Sequence, residues 1–235
     1  MNISARHIRL AFAAFILLFA VSAGSCVISS KPPVPQLFDG NWDDLSAYEA
    51  CLVKSEEKSL ELLQDATVYH LDLAVSTDFL TLTGREQVRY TNRETVDLEA
   101  IYFRLFPNVS GGKAAISAVT VGAKSADFAY EVDDSALRVA LPDVLRRQDA
   151  VTVQVDFTVD IPQSPSGNYG LFGYSNDTLA LDGCYPVIPV FDDSGWHIGI
   201  SPPIGDKTFF DASFYLVRVT APAGMVLAGG RLPGE

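Results

Sequence analysis

The histidines are the first residues of this sequence that could carry chemistry, and they are few. Two of the three histidines, His70 and His197, lie beyond the N-terminal 26 residues. A catalytic zinc needs about three protein ligands, commonly His and Glu. His70 falls on the polar face of a predicted strand, and His197 follows Trp196 in a predicted loop, where packing against that ring is favoured over metal binding. The sequence therefore predicts no metal site in this chain.

Paired carboxylates and nucleophile motifs are the other sources of catalysis. Asp133-Asp134 and Asp192-Asp193 are adjacent in sequence, and neighbouring side chains on an extended chain point to opposite sides, so both pairs are interpreted as turn formers. The sequence has no Gly-rich phosphate loop, no Gly-x-Ser-x-Gly elbow, no Cys-x-x-Cys and no His-Glu-x-x-His. We expect no complete catalytic site, and whether the chain is part of an enzyme stays open at this point.

The N-terminal segment is typical of an export signal. Arg6 and Arg9 precede an apolar run over residues 10–21, which is followed by Ser-Ala-Gly-Ser and Cys26. An apolar run of this length is too short to cross a bilayer as a helix, which takes about 20 residues. We predict a signal peptide over 1–26 and an extracytoplasmic protein. Cys26 is either lipidated, giving a membrane-anchored lipoprotein, or removed by simple cleavage.

The net charge limits the kinds of partner the chain can bind, and the remaining cysteines bear on the redox compartment. The net charge of −12 comes without a basic cluster after Arg9, which argues against nucleic-acid binding. Cys51 and Cys184 could pair in an oxidising compartment, or they could remain two thiols.

The elements that must position any site are mostly strands. Residues 27–41 are interpreted as a tether, and 42–65 as one helix, with Asp43 or Asp44 at its N-cap. From residue 67 the apolar period changes to 2, and short alternating segments recur to residue 220, with Gly84 marking a bend or bulge. Pro186 and Pro189 exclude a central strand at 185–191. The fold predicted for 66–235 is all-β, an antiparallel saddle or sandwich, whose last strand at 225–228 has little room to finish.

The order of several segments resembles the M1 family of zinc aminopeptidases. The segments that carry the resemblance are Tyr-His-Leu-Asp-Leu (69–73), Leu-Thr-Gly-Arg-Glu-Gln-Val-Arg-Tyr-Thr-Asn (82–92), Ile-Tyr-Phe-Arg-Leu-Phe-Pro-Asn (101–108), Pro-Val-Ile-Pro-Val-Phe-Asp (186–192), Gly-Trp-His (195–197) and Tyr-Leu-Val-Arg-Val-Thr-Ala-Pro-Ala-Gly (215–224). The resemblance covers about 67–230. It implies the N-terminal β-saddle domain of that family, truncated at its C-terminal end.

Several expectations follow from the resemblance alone. The family's zinc helix and Gly-x-Met-Glu-Asn loop are missing, so zinc and catalysis would belong to a separate C-terminal domain, the chain's expected partner, acting on peptide N-termini. Members of the family also use a residue of the saddle domain to bind the substrate's amino group. Its matching position is about Ala180, so the nearby Asp182 is the candidate. The alternative is a stand-alone ligand-binding or adhesive β-sandwich lipoprotein.

Overall fold

The structure is a computed structural model that describes residues 37–38, 40–49, 51–164, 170–200 and 209–229. This part of the chain is all-β, as predicted. In chain order the strands are β1 Val68–Val75, β2 Thr81–Thr91, β3 Leu98–Arg104, β4 Lys113–Val121, β5 Lys124–Ser125, β6 Phe128–Glu131, β7 Ala136–Leu145, β8 Ala150–Asp160, β9 Phe172–Ser175, β10 Thr178–Leu181, β11 Phe191–Asp192, β12 Gly195–Trp196 and β13 Phe214–Thr220. A short 3₁₀ helix, Phe106–Val109, follows β3.

Two sheets form the body of the fold. The larger has six strands in the order β13-β1-β2-β8-β4-β5, and the smaller has three in the order β3-β7-β6. The hairpins β9-β10 and β11-β12 stand apart as two-stranded pairs. All pairings are antiparallel except that of β1 with β13, which run parallel, with Tyr69 opposite Tyr215. The predicted antiparallel architecture therefore includes one parallel edge strand, contributed from far along the sequence.

A single buried cluster joins the two sheets. Leu71, Val88 and Val155 come from the large sheet, and Ile101 and Phe103 come from the small one. Each is at most 1% exposed. Since apolar burial is the main favourable contribution to folding, this shared core ties the sheets together.

Gly84 has a packing role rather than the predicted one. The pairing of β2 with β1 and β8 runs through Gly84 without a register shift, so the expected bend or bulge is wrong. A Cβ at this position would overlap the tip of the Phe157 ring on β8. Phe157 is 1% exposed, so the missing side chain of Gly84 makes the space that lets this ring lie flat on its neighbouring strand.

The outer face of the large sheet carries a row of alternating charges. Arg218, Asp72, Arg85 and Asp156 lie opposite one another on β13, β1, β2 and β8. Arg218 Nε donates to Asp72 Oδ1 at 2.9 Å, and Arg85 Nε donates to Asp156 Oδ1 at 2.6 Å. The hydrogen bond from Arg218 lowers the pKa of Asp72. These pairs are partly solvated, so the row fixes register and solubility more than it adds stability.

The predicted continuous helix over 42–65 is wrong. The α-helix is limited to Ser46–Glu49, and residues Lys54–Leu63 form a 3₁₀ helix after an extended Val53. Asp44 Oδ1 accepts a hydrogen bond from the Ser46 amide at 3.0 Å, as a capping side chain would. Leu60 is buried but Leu62 is 85% exposed. A helix depends on burying one apolar face, and this segment offers too little of one.

The structure also differs from two predictions made for the ends of the described chain. Leu37, in the expected tether, is buried rather than solvated. Residues 225–229 form no strand, so the strand expected at 225–228 is wrong. The signal peptide at 1–26, Cys26 and most of the tether lie outside the described residues. Within the described ranges, no helix has the length and apolar character needed to cross a membrane.

Candidate functional site

Asp182 lies at the end of the β9-β10 hairpin. Its side chain is exposed, and its backbone amide donates to Leu171 O at 3.0 Å. The next residue, Gly183, has φ +60 and packs against Phe106. A left-handed glycine closes the turn, so the backbone of Asp182 is held in place while its carboxylate is exposed to solvent. Ala180, two residues earlier, is inside β10 and pairs with Gly173.

The chain then crosses the core as an irregular segment, Cys184 to Pro189, which we call the crossing segment. Its one ladder contact is the isolated bridge between Val187 and Arg104. The Ile188 amide donates to Tyr69 Oη at 3.0 Å. The predicted exclusion of a central strand by the two prolines is confirmed, and the segment is held by packing and by individual hydrogen bonds.

Arg104 is a buried cation that sequence reasoning missed. It is 3% exposed, its Nη1 donates to Gly199 O, and its guanidinium lies 5.5 Å from the centre of the Phe106 ring. Burial lowers the pKa of Arg104. Because Phe103 and Leu105, on either side of Arg104 in sequence, point into the core, strand alternation predicts that the Arg104 side chain points to solvent. The loop after the crossing segment reaches that side, where Gly199 O accepts the hydrogen bond from Arg104.

Glu86 is the second buried ionisable group that was missed. Its side chain is 0% exposed, and neither carboxylate oxygen has a hydrogen-bond partner in the described structure. Burial raises its pKa well above the ordinary value of 4.5. The sequence contained an indication of this burial, because Glu86 lies an even number of positions along β2 from the inward Leu82 and Val88 and is therefore on the same face.

A cluster of tyrosines lies beside Glu86. The rings of Tyr69 and Tyr215 are stacked at 4.9 Å, and Tyr185 meets both edge-on. Burial is the largest cause of the raised pKa of each phenol. Cys184, next to Tyr185, is a buried free thiol whose pKa is raised to about 12 by burial. The pairing of Cys51 with Cys184 is therefore not formed, and such a thiol is chemically inert.

The loop after the crossing segment brings Asp192, Ser194 and His197 together. His197 Nε2 lies 2.6 Å from Asp192 Oδ2, and Ser194 Oγ donates to Asp192 Oδ1 at 2.7 Å. The hydrogen bond from Ser194, followed by that from His197, lowers the pKa of Asp192 to about 2. The carboxylate lies between the other two groups, so His197 does not activate the serine as a nucleophile would require. Asp192 is a turn former, as predicted.

The two histidines have structural surroundings. His70 stacks on Trp42 at 4.3 Å, and burial lowers its pKa. The ring of His197 meets Phe209 edge-on, while Trp196 packs against Tyr90, Tyr102 and Phe191, so the expected Trp196–His197 pair is wrong. In the described part of the chain, no three His, Cys, Asp or Glu side chains are grouped as metal ligands.

Comparisons with known proteins give structural matches only. No protein-family model and no curated protein sequence matches the chain. The chain is similar to an M1 zinc metallopeptidase from Deinococcus radiodurans, with 20% sequence identity, a TM-score of 0.44, and coverage of 68% of this chain and 32% of that one. A two-domain M1 zinc metallopeptidase variant bound to L-arginine has the same identity and TM-score, with 68% and 33% covered.

A third match is a Deinococcus radiodurans M1 zinc metallopeptidase variant bound to a Tyr-Ser-Ala substrate, with 20% identity, a TM-score of 0.43, and 68% and 34% covered. This chain spans about one third of the length of each of these structures. The fold class of the present chain, an all-β sandwich, is therefore assigned from its own strands and sheets.

Proposed function

We propose that this chain is the N-terminal scaffold and substrate-channel domain of an exported M1-like zinc metallopeptidase, and that it is inactive alone. The observation that carries the proposal is how the segments of the sequence resemblance meet. The segments 69–73, 82–92 and 215–224 supply β1, β2 and β13, which are adjacent strands of one sheet. The segments 101–108 and 186–192 meet through the Arg104–Val187 bridge. Residues far apart in sequence thus form one connected framework.

In this proposal, zinc is held by the catalytic domain. The described residues offer no group of three metal-ligating side chains, so they do not fit a catalytic zinc. In the proposed enzyme, this chain would form one side of the substrate channel. Its contribution to catalysis would be to hold the peptide's N-terminus in place, because positioning reduces the entropy lost on the way to the transition state.

An uncovered sheet edge supports a role within a larger assembly. On β13, Val217 and Val219 lie beside Leu71 and Leu73 of β1 and on the same face of the sheet. The two leucines are buried in the core, yet Val217 is 43% exposed and Val219 is 39% exposed. Phe209, just before β13, is 60% exposed. Apolar side chains left open along one edge are typical of a surface that packs against another domain.

Asp182 is the proposed anchor for the substrate ammonium. In the enzyme with its catalytic domain, we expect Asp182→Ala to raise KM for aminoacyl-anilides at least about tenfold, since a charge-assisted hydrogen bond contributes about 1.5–3 kcal/mol. The physical reason is the pairing of the exposed carboxylate at the end of the hairpin with the free amino group. Steady-state kinetics at saturating zinc measure the effect.

The matched control is Asp193→Ala, which removes an exposed aspartate from a nearby loop. Its KM should stay within about twofold of the wild type, because surface changes away from the site have small effects. An unchanged KM in Asp182→Ala would sink the anchor while leaving the domain proposal intact.

We also propose that the protein is exported through the signal peptide over 1–26, with Cys26 either lipidated or removed by cleavage. Mass spectrometry of the protein recovered from its native envelope distinguishes an acylated Cys26 N-terminus from a simply cleaved one. An N-terminus that begins at Met1 would contradict export by a signal peptide.

A further inference from the structure

Glu86 occupies the middle of the large sheet. It lies opposite Leu71 on β1 and Val155 on β8, on the core face, with none of its side chain exposed. Both carboxylate oxygens lack a hydrogen-bond partner within the described residues. An ionised carboxylate buried without a partner is far more costly than a neutral acid, so this site holds the protonated form.

The ionisable groups that face Glu86 do not compensate a negative charge. Tyr69 on β1, Tyr215 on β13, and Cys184 and Tyr185 of the crossing segment are the groups that interact with it electrostatically. All are acids, and burial keeps their protons on by raising their pKa. No cation is among these described groups, so none of them compensates a charge on Glu86, and contact with water would stabilise it.

The crossing segment is the element packed on this cluster that can most easily move away. Strands β1, β2 and β8 are held by continuous ladders on both sides of Glu86. In the described structure the crossing segment has no continuous ladder, and it is held by the Val187–Arg104 bridge, the hydrogen bond from Ile188 to Tyr69 and a side-chain hydrogen bond between Tyr185 and Tyr215. Regions with few backbone hydrogen bonds open at the lowest free energy. Cys184 and Tyr185, at the start of the segment, are among the groups that interact electrostatically with the acid, and Cys184 belongs to the same buried core.

We propose that Glu86 is a built-in pH switch for the crossing segment: in its protonated form the segment stays closed on the tyrosine cluster, and loss of the proton opens the segment to water. The inference does not depend on the proposed function. It does, however, concern the same stretch of chain that connects Asp182 to the loop of Asp192 and His197. Opening would therefore change the relative position of the two ends of that stretch.

The direction of the pH dependence follows from the raised pKa of Glu86. Between 4.5 and the higher pKa of the closed state, the open state releases a proton that the closed state keeps. The closed state is therefore fully favoured below about pH 4.5 and loses stability as the pH rises. The ratio of open to closed molecules increases about tenfold per pH unit in that window.

Hydrogen exchange of the full chain between pH 5 and pH 8 tests the proposal. The Ile188 amide, which donates to Tyr69 Oη, reports opening after correction for the intrinsic exchange rate at each pH. We expect its opening constant to rise at least about tenfold in the wild type and to stay within about threefold in Glu86→Gln. Should Glu86→Gln fail to fold, Glu86→Leu gives the same comparison without a buried amide.

The matched control is Glu99→Gln, which neutralises an exposed glutamate on β3 and should keep the wild-type rise. The amides of Val153 and Val155 on β8 should stay protected throughout, which separates local opening from global unfolding. A flat wild-type profile at Ile188 would overturn the proposal. An equal rise in the Glu86 variants, or loss of protection in β8 at the same pH, would overturn it as well.

Discussion

Replacing Gly84 with alanine is expected to destabilise the fold by about 3 kcal/mol, at the upper end of the usual cost of overpacking a core. A Cβ on Gly84 would overlap the tip of the Phe157 ring, which is 1% exposed and packed in the core, so the ring must displace its neighbours to make room. The backbone at Gly84 is ordinary strand, so the expected cost comes from the collision and not from strain. Urea unfolding followed by far-UV circular dichroism measures the free energy of unfolding.

Two further variants isolate the cause. Gly229→Ala adds the same methyl group where nothing lies within 4 Å and should change stability by less than about 0.5 kcal/mol. Combining Gly84→Ala with Phe157→Leu shortens the colliding side chain, so the pair should cost less than the sum of the two single variants. Additive costs, or an unchanged midpoint for Gly84→Ala, would contradict the packing account.

Truncating Phe103 to alanine should cost about 4 kcal/mol and unfold both sheets together. Phe103 is 0% exposed on β3 of the small sheet and belongs to the core cluster that includes the large sheet. Removing a buried phenylalanine loses its transfer free energy and leaves a cavity that the rigid sheets cannot close. Far-UV and near-UV circular dichroism, which report the strands and the aromatic packing, should give a single coincident transition.

Phe209→Ala is the matched control, because its ring is 60% exposed. It should leave the free energy of unfolding within about 0.5 kcal/mol of the wild type. Separate transitions for strands and aromatic packing in Phe103→Ala would mean that the two sheets fold independently and would contradict the shared core.

The strands were predictable wherever one face alone is buried. Alternation over 151–159 matches β8, Ala150–Asp160, and the parity of its buried residues agrees with the core. The parallel pairing of β1 with β13 was not predictable, because alternation identifies a strand's faces and not its neighbour. The helix predicted over 42–65 failed for a related reason. Spacing showed an apolar stripe, but only the folded chain decides whether anything covers it.

The candidate site was less accessible from the sequence. Asp182 was found only through the resemblance, and its exposed place at the end of β10 leaves its role a prediction. Arg104 and Glu86 were not singled out, because charged residues are rarely buried. Alternation along β2 could have shown Glu86, which has the same parity as the inward Leu82 and Val88. Arg104 has the opposite parity on its strand, and its contacts come from far along the chain, through Val187 and Gly199. Periodicity carries no information about such contacts.

The most direct test of the central claim is the nucleotide sequence of the gene beyond the codon for Glu235, combined with an assay of both protein forms. We predict an open reading frame that reaches a His-Glu-x-x-His helix. The longer protein should then hydrolyse aminoacyl-anilides with zinc, while this chain alone should not. A stop codon directly after Glu235, or turnover by this chain alone, would contradict the account.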